Sequence, residues 1–267
     1  MMKIGFIGLG NMGGSLARLV AQDERYRSEL LLANRSRDKA EKIAAEVGGQ
    51  PVSNEEVFAQ AEVIFLGVKP AQFEDLLADY QEVLEERDSL LLVSMAAGLT
   101  LEILEKLTPS HHRWIRMMPN TPVAVGEGVI TYALSQQANQ VDEDLLRELL
   151  SSAGLLVKLE EKQLDAATAL AGCGPAFVYL FIEALADAGV RAGLSRDISL
   201  ELANQTLLGA AKLSRVSGQH PAQLKDQVCS PAGSTIAGVA SLEENAFRGT
   251  VMDAVQAAYE RTQELGK

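Results

Sequence analysis

The stretch that decides the fold is Met1-Met2-Lys3-Ile4-Gly5-Phe6-Ile7-Gly8-Leu9-Gly10-Asn11-Met12-Gly13-Gly14, in which a short apolar strand runs through glycines into a helix. Gly8 allows a sharp turn off the strand, Gly10 lets the backbone approach a pyrophosphate, and Gly13 lets the helix pack against the sheet. Unpaired amides at the helix start then face the phosphates. The pattern predicts a dinucleotide site; the alternative is a glycine-rich turn in an ordinary α/β domain.

Composition excludes several classes of partner. The chain has 267 residues and a formal net charge of -12, whereas a nucleic-acid surface needs a basic face and an anionic membrane repels an acidic protein. The longest apolar run, near residues 90–97, is too short to span a bilayer, and the first residues are typical of a strand and not of a signal peptide. We therefore expect a cytoplasmic protein that binds neither nucleic acid nor membrane.

Cysteines and histidines give no sign of a metal site. Cys173 and Cys229 lack the spacing of a zinc site or a disulfide framework. The pair His111-His112 follows Pro109-Ser110 and is expected in an exposed loop, and His220 stands alone. We expect no bound metal.

Apolar runs alternate with helical patterns through the first 160 residues. The runs predict strands at 3–7, 30–33, 63–68, 90–93, 114–118, 128–133 and 155–159. The intervening patterns predict helices at 39–47, 71–86, 100–107 and 142–152, with Thr100 as an N-cap, and a helical turn at 54–60. Apolar strands between helices indicate a parallel sheet covered on both faces. The prediction is a Rossmann-type, doubly wound domain over residues 1–160.

From about residue 161 the strand-like runs stop and alanine-rich helical stretches continue to the end. We place a domain boundary there and expect an all-α domain over residues 161–267. The helix that starts at Pro175 is apolar on nearly every side and must be buried all round. About a hundred residues cover so much apolar surface more easily with a second subunit, so we expect a homodimer through the C-terminal helices.

The end of the second strand indicates which dinucleotide binds. NAD-preferring domains carry an acidic residue there, but this chain has Asn34-Arg35-Ser36. Arg35 can pair with a 2′-phosphate and Ser36 can donate to it, while Arg37 and Lys39 add positive potential. The alternative is a set of solvated charges. The prediction is NADPH, with NADH also compatible.

Two later loops place glycine, proline and small hydroxyls directly before helices, at residues 171–175 and 229–235. In the second loop the amides of Gly233, Ser234 and Thr235 are expected to be free donors that can hold a substrate carboxylate. The alternative is a plain capped helix start.

Along its whole length the chain resembles the pyrroline-5-carboxylate reductases, the NAD(P)H-dependent enzymes that make proline. The resemblance rests on Phe6 to Met12 and on residues 68–70, 94–98, 116–122, 172–176 and 224–235. The last of these is the signature region of the family. Cys173 stands where the family usually has serine, and Ala232 where it usually has glycine. Both are small residues, so they bear on fine specificity more than on activity.

The resemblance implies reduction of the ring C=N of Δ1-pyrroline-5-carboxylate to L-proline. It implies that the Thr235 hydroxyl hydrogen-bonds the imine nitrogen, and a threonine suits orientation and relay better than acid catalysis. Cys173 is expected to be structural. The implied substrate residues are Val228, Ser230, Gly233, Ser234 and Thr235. The implied cofactor residues are Gly8, Leu9, Gly10, Asn11, Met12, Gly13, Asn34, Arg35, Ser36, Asn54, Val68, Lys69, Pro70, Ala96, Ala97, Gly98 and Asn120. Interlocked helical dimers that associate into rings such as a decamer are also implied.

Three other functions are compatible with a Rossmann domain followed by helices. A β-hydroxyacid dehydrogenase needs a lysine early in its helical domain, and none lies between Lys162 and Lys212. A reductase for another imine differs only in the shape of its pocket. A non-catalytic NADP(H) sensor would not need the carboxylate loop with Thr235.

Overall fold

The structure is a computed structural model that describes residues 2–265. The chain divides into two compact units. The first unit comprises the chain up to Cys173 together with the chain from Ala258 onward, and the second unit comprises Gly174–Ala257.

The first unit contains an eight-stranded sheet. Its strands are β1 (Ile4–Ile7), β2 (Leu30–Ala33), β3 (Gln50–Pro51), β4 (Val63–Leu66), β5 (Leu91–Ser94), β6 (Arg113–Pro119), β7 (Gly128–Leu134) and β8 (Gly154–Lys158). Their order is β3-β2-β1-β4-β5-β6-β7-β8. Neighbours are parallel except β6 and β7, which are antiparallel because residues 120–127 form too short a connection for a crossover. The expected doubly wound domain is confirmed, with this one reversal.

The helices of the first unit cover both faces of the sheet. They are α1 (Asn11–Val20), α2 (Glu24–Arg27), α3 (Arg37–Val47), α4 (Asn54–Gln60), α5 (Phe73–Asp79), α6 (Gln81–Glu86), α7 (Leu101–Lys106), α8 (Gln140–Leu149) and α9 (Leu164–Ala167). Short 3₁₀ turns occupy Pro70–Gln72, Thr121–Val125 and Glu161–Gln163, and a π-helical turn occupies Thr168–Gly172. Thr100 caps α7 as expected, since its side chain accepts from the amide of Ile103.

One expected helix is broken. The pattern over residues 71–86 predicts a continuous helix, but the structure has a 3₁₀ turn at Pro70–Gln72 followed by α5 and α6. The break falls at Tyr80, whose φ of -119° and ψ of 20° are not helical. The break redirects the chain while keeping Leu77 and Leu84 buried in one core. The short elements α2 and β3 carry no periodic signal and are absent from the sequence prediction.

Two apolar cores sandwich the sheet, because successive strand residues face opposite sides. Ile4 and Phe6 face the core under α1, α3 and α8, and Ile7 faces the core under α4, α5 and α7. Phe6 stacks on Phe65 of the neighbouring strand at 4.7 Å between ring centroids. Burial on both faces explains why the strands are almost wholly apolar.

His112 is buried, so the expectation that it lies in an exposed loop is wrong; His111 is exposed. The Nδ1 of His112 accepts from the amide of Leu90 at 3.1 Å, and its Nε2 lies 3.0 Å from the carbonyl oxygen of Leu84. That arrangement requires a neutral ring with the proton on Nε2. Burial lowers the pKa of His112 to about 4.

The second unit is helical, with α10 (Gly174–Arg191), α11 (Arg196–Ser217), α12 (Pro221–Val228), α13 (Ser234–Glu244) and most of α14 (Phe247–Leu265). Within residues 174–257, all of which the structure describes, Ala186, Ser199 and Ala203 are the only buried residues. The helical stretch Glu161–Arg191 is long and apolar enough to cross a membrane by length and composition, and 11% of its most apolar window is buried. Residues 175–186 of this stretch carry the apolar pattern that predicts a helix buried on nearly every side.

Candidate functional site

The glycine-rich loop lies at the carboxyl ends of the central strands. The strands β1, β4 and β5 are parallel and in register, so Gly8, Gly67 and Met95 emerge together at one edge of the sheet. The strand order reverses at β1, since β2 lies on one side of it and β4 on the other. Ligands of open α/β sheets bind in the crevice at such a reversal.

The three glycines of the loop meet different steric demands. Gly8 has a φ of +90°, and a Cβ there would lie 2.7 Å from the carbonyl carbon of Gly67. A Cβ on Gly13 would lie 2.2 Å from the oxygen of Gly8. Gly10 has nothing within 4 Å of its Cβ position. Gly8 and Gly13 therefore allow the turn to pack closely against the sheet, while the open space at Gly10 lets a pyrophosphate approach the backbone. The loop fits a dinucleotide.

Asn34 ties the glycine loop to the loop after β2. Its Oδ1 accepts from the amide of Leu9 at 3.0 Å, and its Nδ2 donates to the carbonyl oxygen of Ser36 at 3.1 Å. Arg35, which stands between Asn34 and Ser36 in the sequence, has an exposed side chain. Asn34 therefore holds the two loops in a fixed relation and leaves Arg35 and Ser36 facing solvent.

Other residues implied for the cofactor follow neighbouring strands at the same edge. Asn54 starts α4 after β3, behind the capping box that Ser53 forms with Glu56. The run Val68-Lys69-Pro70 follows β4, and Ala96-Ala97-Gly98 follows β5. The structure brings these segments to one edge of the sheet together with the glycine loop.

Asn120 is buried and engaged by the protein. Its Oδ1 accepts from the amide of Val129 at 2.8 Å, and its Nδ2 donates to the oxygen of Ala171 at 2.9 Å. Ala171 lies in the π-helical turn that leads to Cys173. A π-turn is uncommon and frequently marks a functional region. Asn120 thus joins the end of β6 to the first of the two glycine-containing loops.

Sequence reasoning missed a buried charge cluster on β6. Arg116 on β6 is 2% exposed, and its guanidinium contacts Glu161 at 3.2 Å and Asp165 at 2.8 Å. Glu161 also accepts from the amide of Leu101, which starts α7. The Nε of Arg116 has no hydrogen-bond partner among the described residues. An arginine inside an otherwise apolar strand was the signal available in the sequence.

A pocket of about 450 Å³ opens between α1 and α3, beside the glycine loop. It is lined by Leu9, Gly10, Asn11, Arg18, Ser36, Asp38, Lys39, Lys42 and Ile43. Four of these, Leu9, Gly10, Asn11 and Ser36, belong to the predicted cofactor site. Lys42 and Arg18 were not among the sequence candidates.

The implied substrate residues lie together in the second unit, between α12 and α13. Val228 ends α12, Gly233 is the N-cap of α13, and Ser234 and Thr235 form its first turn. A Cβ on Gly233 would lie 2.2 Å from the Oγ of Ser230 and 3.1 Å from its carbonyl oxygen, so a larger residue would force the Ser230 side chain to move. Ala232 has a φ of +55°, a left-handed conformation that favours the glycine usual in the family.

In the loop at residues 229–235, the amide of Gly233 differs from the expectation that it is a free donor. The amide of Gly233 donates to the carbonyl oxygen of Ser230 at 3.0 Å, so it is not a free donor. The donors that α13 offers are the amides of its first turn, from Ser234 onward, which have no carbonyl four residues earlier within the helix. The amide of Gly233 is therefore engaged in the turn, and the amides from Ser234 onward are the donors available to a ligand.

Comparison with known proteins gives the class of the protein. Residues 3–98 match the family model described as NADP oxidoreductase, coenzyme F420-dependent, and residues 161–265 match the model described as pyrroline-5-carboxylate reductase dimerisation. The chain is a Rossmann-type oxidoreductase that uses NAD(P)H, followed by a helical dimerisation domain.

Relatives similar over nearly the full length specify the family. The pyrroline-5-carboxylate reductase of Pisum sativum is 44% identical over 264 residues, which cover 98% of this chain and 95% of the relative. That of Synechocystis is 41% identical over 270 residues, covering 100% of this chain and 99% of the relative. A crystal structure of Plasmodium falciparum pyrroline carboxylate reductase with NADP bound has a TM-score of 0.88 at 38% identity, covering 100% of this chain and 98% of that one. The chain belongs to the pyrroline-5-carboxylate reductase family.

Proposed function

We propose that this protein reduces Δ1-pyrroline-5-carboxylate to L-proline with NADPH, the final step of proline biosynthesis. The observation that carries the proposal is the similarity to pyrroline-5-carboxylate reductases over nearly the whole chain, 44% for the Pisum sativum enzyme. The glycine loop, with its open backbone at Gly10, and the α13 start supply a place for a dinucleotide and a place for a carboxylate.

Bound NADPH supplies the hydride, so the protein has to bind, orient and shield the two reactants. We assign the pyrophosphate to the glycine loop from Gly8 to Gly13 and to the first amides of α1. Asn54, Val68-Lys69-Pro70 and Ala96-Ala97-Gly98 complete the cofactor site along the same sheet edge. Asn120 contributes by holding the π-helical turn, since its amide already bonds Ala171.

NADPH is preferred over NADH in this proposal because the residue directly after β2 is Asn34 and not a carboxylate. Arg35 is exposed and carries a charge suited to the 2′-phosphate, and the Ser36 hydroxyl can donate to it. The side chain of Ser36 makes no capping hydrogen bond to α3, although Ser36 is its N-cap residue. Its hydroxyl is therefore available to a ligand.

The substrate carboxylate is assigned to the first-turn amides of α13. An 11-residue helix presents a partial positive charge and aligned N–H groups at its start, which favour an anion without an arginine. Val228, Ser230 and Gly233 shape the turn, and Ser234 and Thr235 supply amides. The half-buried Thr235 hydroxyl then hydrogen-bonds the imine nitrogen and relays a proton from water, which a threonine does better than acid catalysis.

We propose a homodimer through the C-terminal helices, with a domain boundary near residue 160 and a cytoplasmic location. Support for the dimer comes from the second unit, where many apolar side chains are exposed and three residues are buried. A second copy, not lipid, covers the apolar stretch Glu161–Arg191 in this proposal, since that stretch overlaps the dimerisation match. Association of dimers into rings such as a decamer is the further step that the family resemblance implies.

The direct test is the fall of NADPH absorbance when the purified protein is mixed with pyrroline-5-carboxylate. We expect turnover that depends on the five-membered imine, with slower turnover of the six-membered ring homologue. NADPH binding without oxidation would indicate a sensor. Faster turnover of the six-membered ring would indicate a reductase for a different imine.

A further inference from the structure

The turn before α13 holds an alanine in a backbone conformation that favours glycine. Ser230 and Gly233 close this turn with a hydrogen bond of 3.0 Å from the amide of Gly233 to the carbonyl oxygen of Ser230. Pro231 and Ala232 are its two central residues, and Ala232 has a φ of +55°. Turns with proline at the first central position and a positive φ at the second usually carry glycine or asparagine there. The Cβ of Ala232 therefore makes the turn strained.

Few contacts support this strained residue. Ser230, Pro231 and Ala232 are all exposed, and one backbone hydrogen bond closes the turn. A strained backbone persists where the surrounding structure holds it, and such residues cluster at ligand sites. Ala232 lies directly before Gly233 and the first turn of α13, whose amides we assign to the substrate carboxylate. The strain thus lies beside a proposed ligand and not beside a packed core.

A second alanine with the same conformation occupies a better-supported turn. Ala246, between α13 and α14, has a φ of +54°. Its amide donates to the carbonyl oxygen of Glu243 at 3.0 Å, and its own carbonyl oxygen accepts from the amide of Thr250 at 3.0 Å. The carboxylate of Glu243 also pairs with Arg248 at 2.7 Å, across the same turn. Ala246 therefore shares the strain of Ala232 but lies outside the substrate loop and is held by more bonds.

We propose that Ala232 is a positioning residue that sets the affinity of the α13 start for the substrate carboxylate. Before substrate binds, the loop exchanges between the strained turn and a relaxed form in which Ala232 has a negative φ and the bond between Ser230 and Gly233 is open. The strained turn leaves the amides from Ser234 onward free, so the carboxylate selects it. Apparent affinity is reduced in proportion to the fraction of loops in the strained form. This role of Ala232 rests on the proposed reductase function.

A series of substitutions at one position separates backbone strain from side-chain size. Glycine and asparagine adopt a positive φ more readily than alanine, and valine adopts it less readily. Asparagine is nevertheless larger than alanine. The full-length variants Ala232→Gly, Ala232→Asn and Ala232→Val are compared by KM and kcat for pyrroline-5-carboxylate at saturating NADPH. Ala246→Gly is the matched control, because it relieves the same strain away from the substrate loop.

We expect Ala232→Gly to lower KM about three- to tenfold, and Ala232→Asn to lower it by a smaller factor. Ala232→Val should raise KM. In the glycine and asparagine variants kcat should change less than about twofold, because the carboxylate is held alike in the ground state and the transition state. Ala246→Gly should leave both KM and kcat at their wild-type values.

Two results would overturn the inference. A KM that rises with side-chain size, from glycine through alanine to asparagine, would make Ala232 a wall of the pocket. The same change in KM, or none, in Ala232→Gly and Ala246→Gly would leave Ala232 an ordinary residue of the turn.

Failure of the proposed function is distinguishable, because L-proline carries the same carboxylate and its calorimetric binding needs no turnover. L-proline affinities that follow the order glycine, asparagine, alanine, valine without any oxidation of NADPH would remove the reaction and retain the role of Ala232. Turnover by the wild type together with equal L-proline affinities across the series would retain the reaction and remove that role.

Discussion

One amide side chain fixes the relation between the two loops that NADPH is proposed to contact. Asn34 accepts from Leu9 with its Oδ1 and donates to Ser36 with its Nδ2. An aspartate at this position keeps the first bond and loses the second, because a carboxylate has no N–H. The residue that replaces the usual acid of NAD-preferring domains therefore also has a structural task.

The double substitution Asn34→Asp with Arg35→Ser should reverse the cofactor preference. The new carboxylate accepts from the 2′-OH of NADH and repels a 2′-phosphate, and removal of Arg35 deletes the opposing charge. We expect the ratio of kcat/KM for NADPH to that for NADH to fall by about tenfold or more, measured by steady-state kinetics. An unmoved KM for NADPH would show that these residues do not select the cofactor.

Thr235 is the residue most directly tied to the imine in the proposed mechanism. Thr235→Ala should lower kcat by roughly ten- to a hundredfold, since orientation and proton relay are lost at the nitrogen. Thr235→Ser retains the hydroxyl and should recover most of the rate. A Thr235→Ala enzyme with normal kcat and a raised KM would leave the hydroxyl with a role in binding alone.

At the scale of elements, His112 joins the end of α6 to the start of β5. Its neutral ring bonds Leu84 and Leu90, and the ring cannot take a second proton without losing the bond from the Leu90 amide. The pKa of His112 is lowered to about 4 from an ordinary value of 6.5, and burial is the main cause. The unfolded chain therefore binds a proton before the folded one does.

The free energy of unfolding should therefore decrease as the pH falls through the range in which His112 binds a proton in the unfolded chain but not in the folded one. The contribution of His112 is complete above pH 6.5, declines as the pH falls from 6.5 to about 4, and amounts to at most about 3 kcal/mol. Urea unfolding followed by fluorescence of the single tryptophan, Trp114, measures it. His112→Gln should flatten the decline, and His111→Gln, at an exposed position, should not. An unchanged decline in His112→Gln would assign it to other groups.

The Arg116 cluster joins three elements, β6, α7 and the segment from Glu161 that leads to α9. Arg116→Met should lower the free energy of unfolding by roughly 2–4 kcal/mol, because Glu161 and Asp165 lose their shared partner while remaining largely covered. The probe is again Trp114, two residues away on the same strand. Arg113→Met alters a more exposed arginine of β6, paired with Asp142, and serves as the comparison. If Arg116→Met lowers the free energy of unfolding no more than Arg113→Met does, burial adds nothing to the stabilisation by the cluster.

Elements with a repeating local signal were predictable from the sequence, and features fixed by distant packing were not. The strand Leu30–Ala33 and the helix Asn54–Gln60 were predicted at their observed bounds, because apolar runs and capping residues mark them. The burial of His112 and Arg116 depends on residues more than 20 positions away, so no local pattern reports it. The apolar runs alone did not indicate the antiparallel pairing of β6 and β7, which follows from the short connection between these strands.

The same distinction applies to the candidate site. Gly8 and Gly13 were identifiable because their spacing reports a steric requirement, which the structure makes explicit. Lys42 lies in a helix among other charges, and nothing in its sequence neighbourhood separates it from a solvated lysine. The full assignment of site residues stays a prediction that the proposed variants test.

At the scale of the whole molecule, the second unit, residues 174–257, buries only Ala186, Ser199 and Ala203. A helical domain is held by its apolar core, yet Leu202, Leu208 and Leu213 on α11 are each more than half exposed. Leu208→Asp should therefore shift the protein toward monomers in gel filtration with light scattering. Val141→Asp is the control, since Val141 is 72% exposed on α8 of the first unit. Identical masses for wild type and Leu208→Asp would place the subunit interface elsewhere.

The central claim is that the protein reduces one imine to L-proline with one hydride from NADPH and one proton. The most direct measurement incubates the wild-type protein with NADPH and pyrroline-5-carboxylate and quantifies both NADPH consumed and L-proline formed by chiral chromatography. We predict one L-proline for each NADPH oxidised, and a rate that falls with Thr235→Ala. NADPH oxidation without L-proline, or L-proline formed at the same rate when Thr235 is replaced by alanine, would contradict the reaction or the site assigned to it.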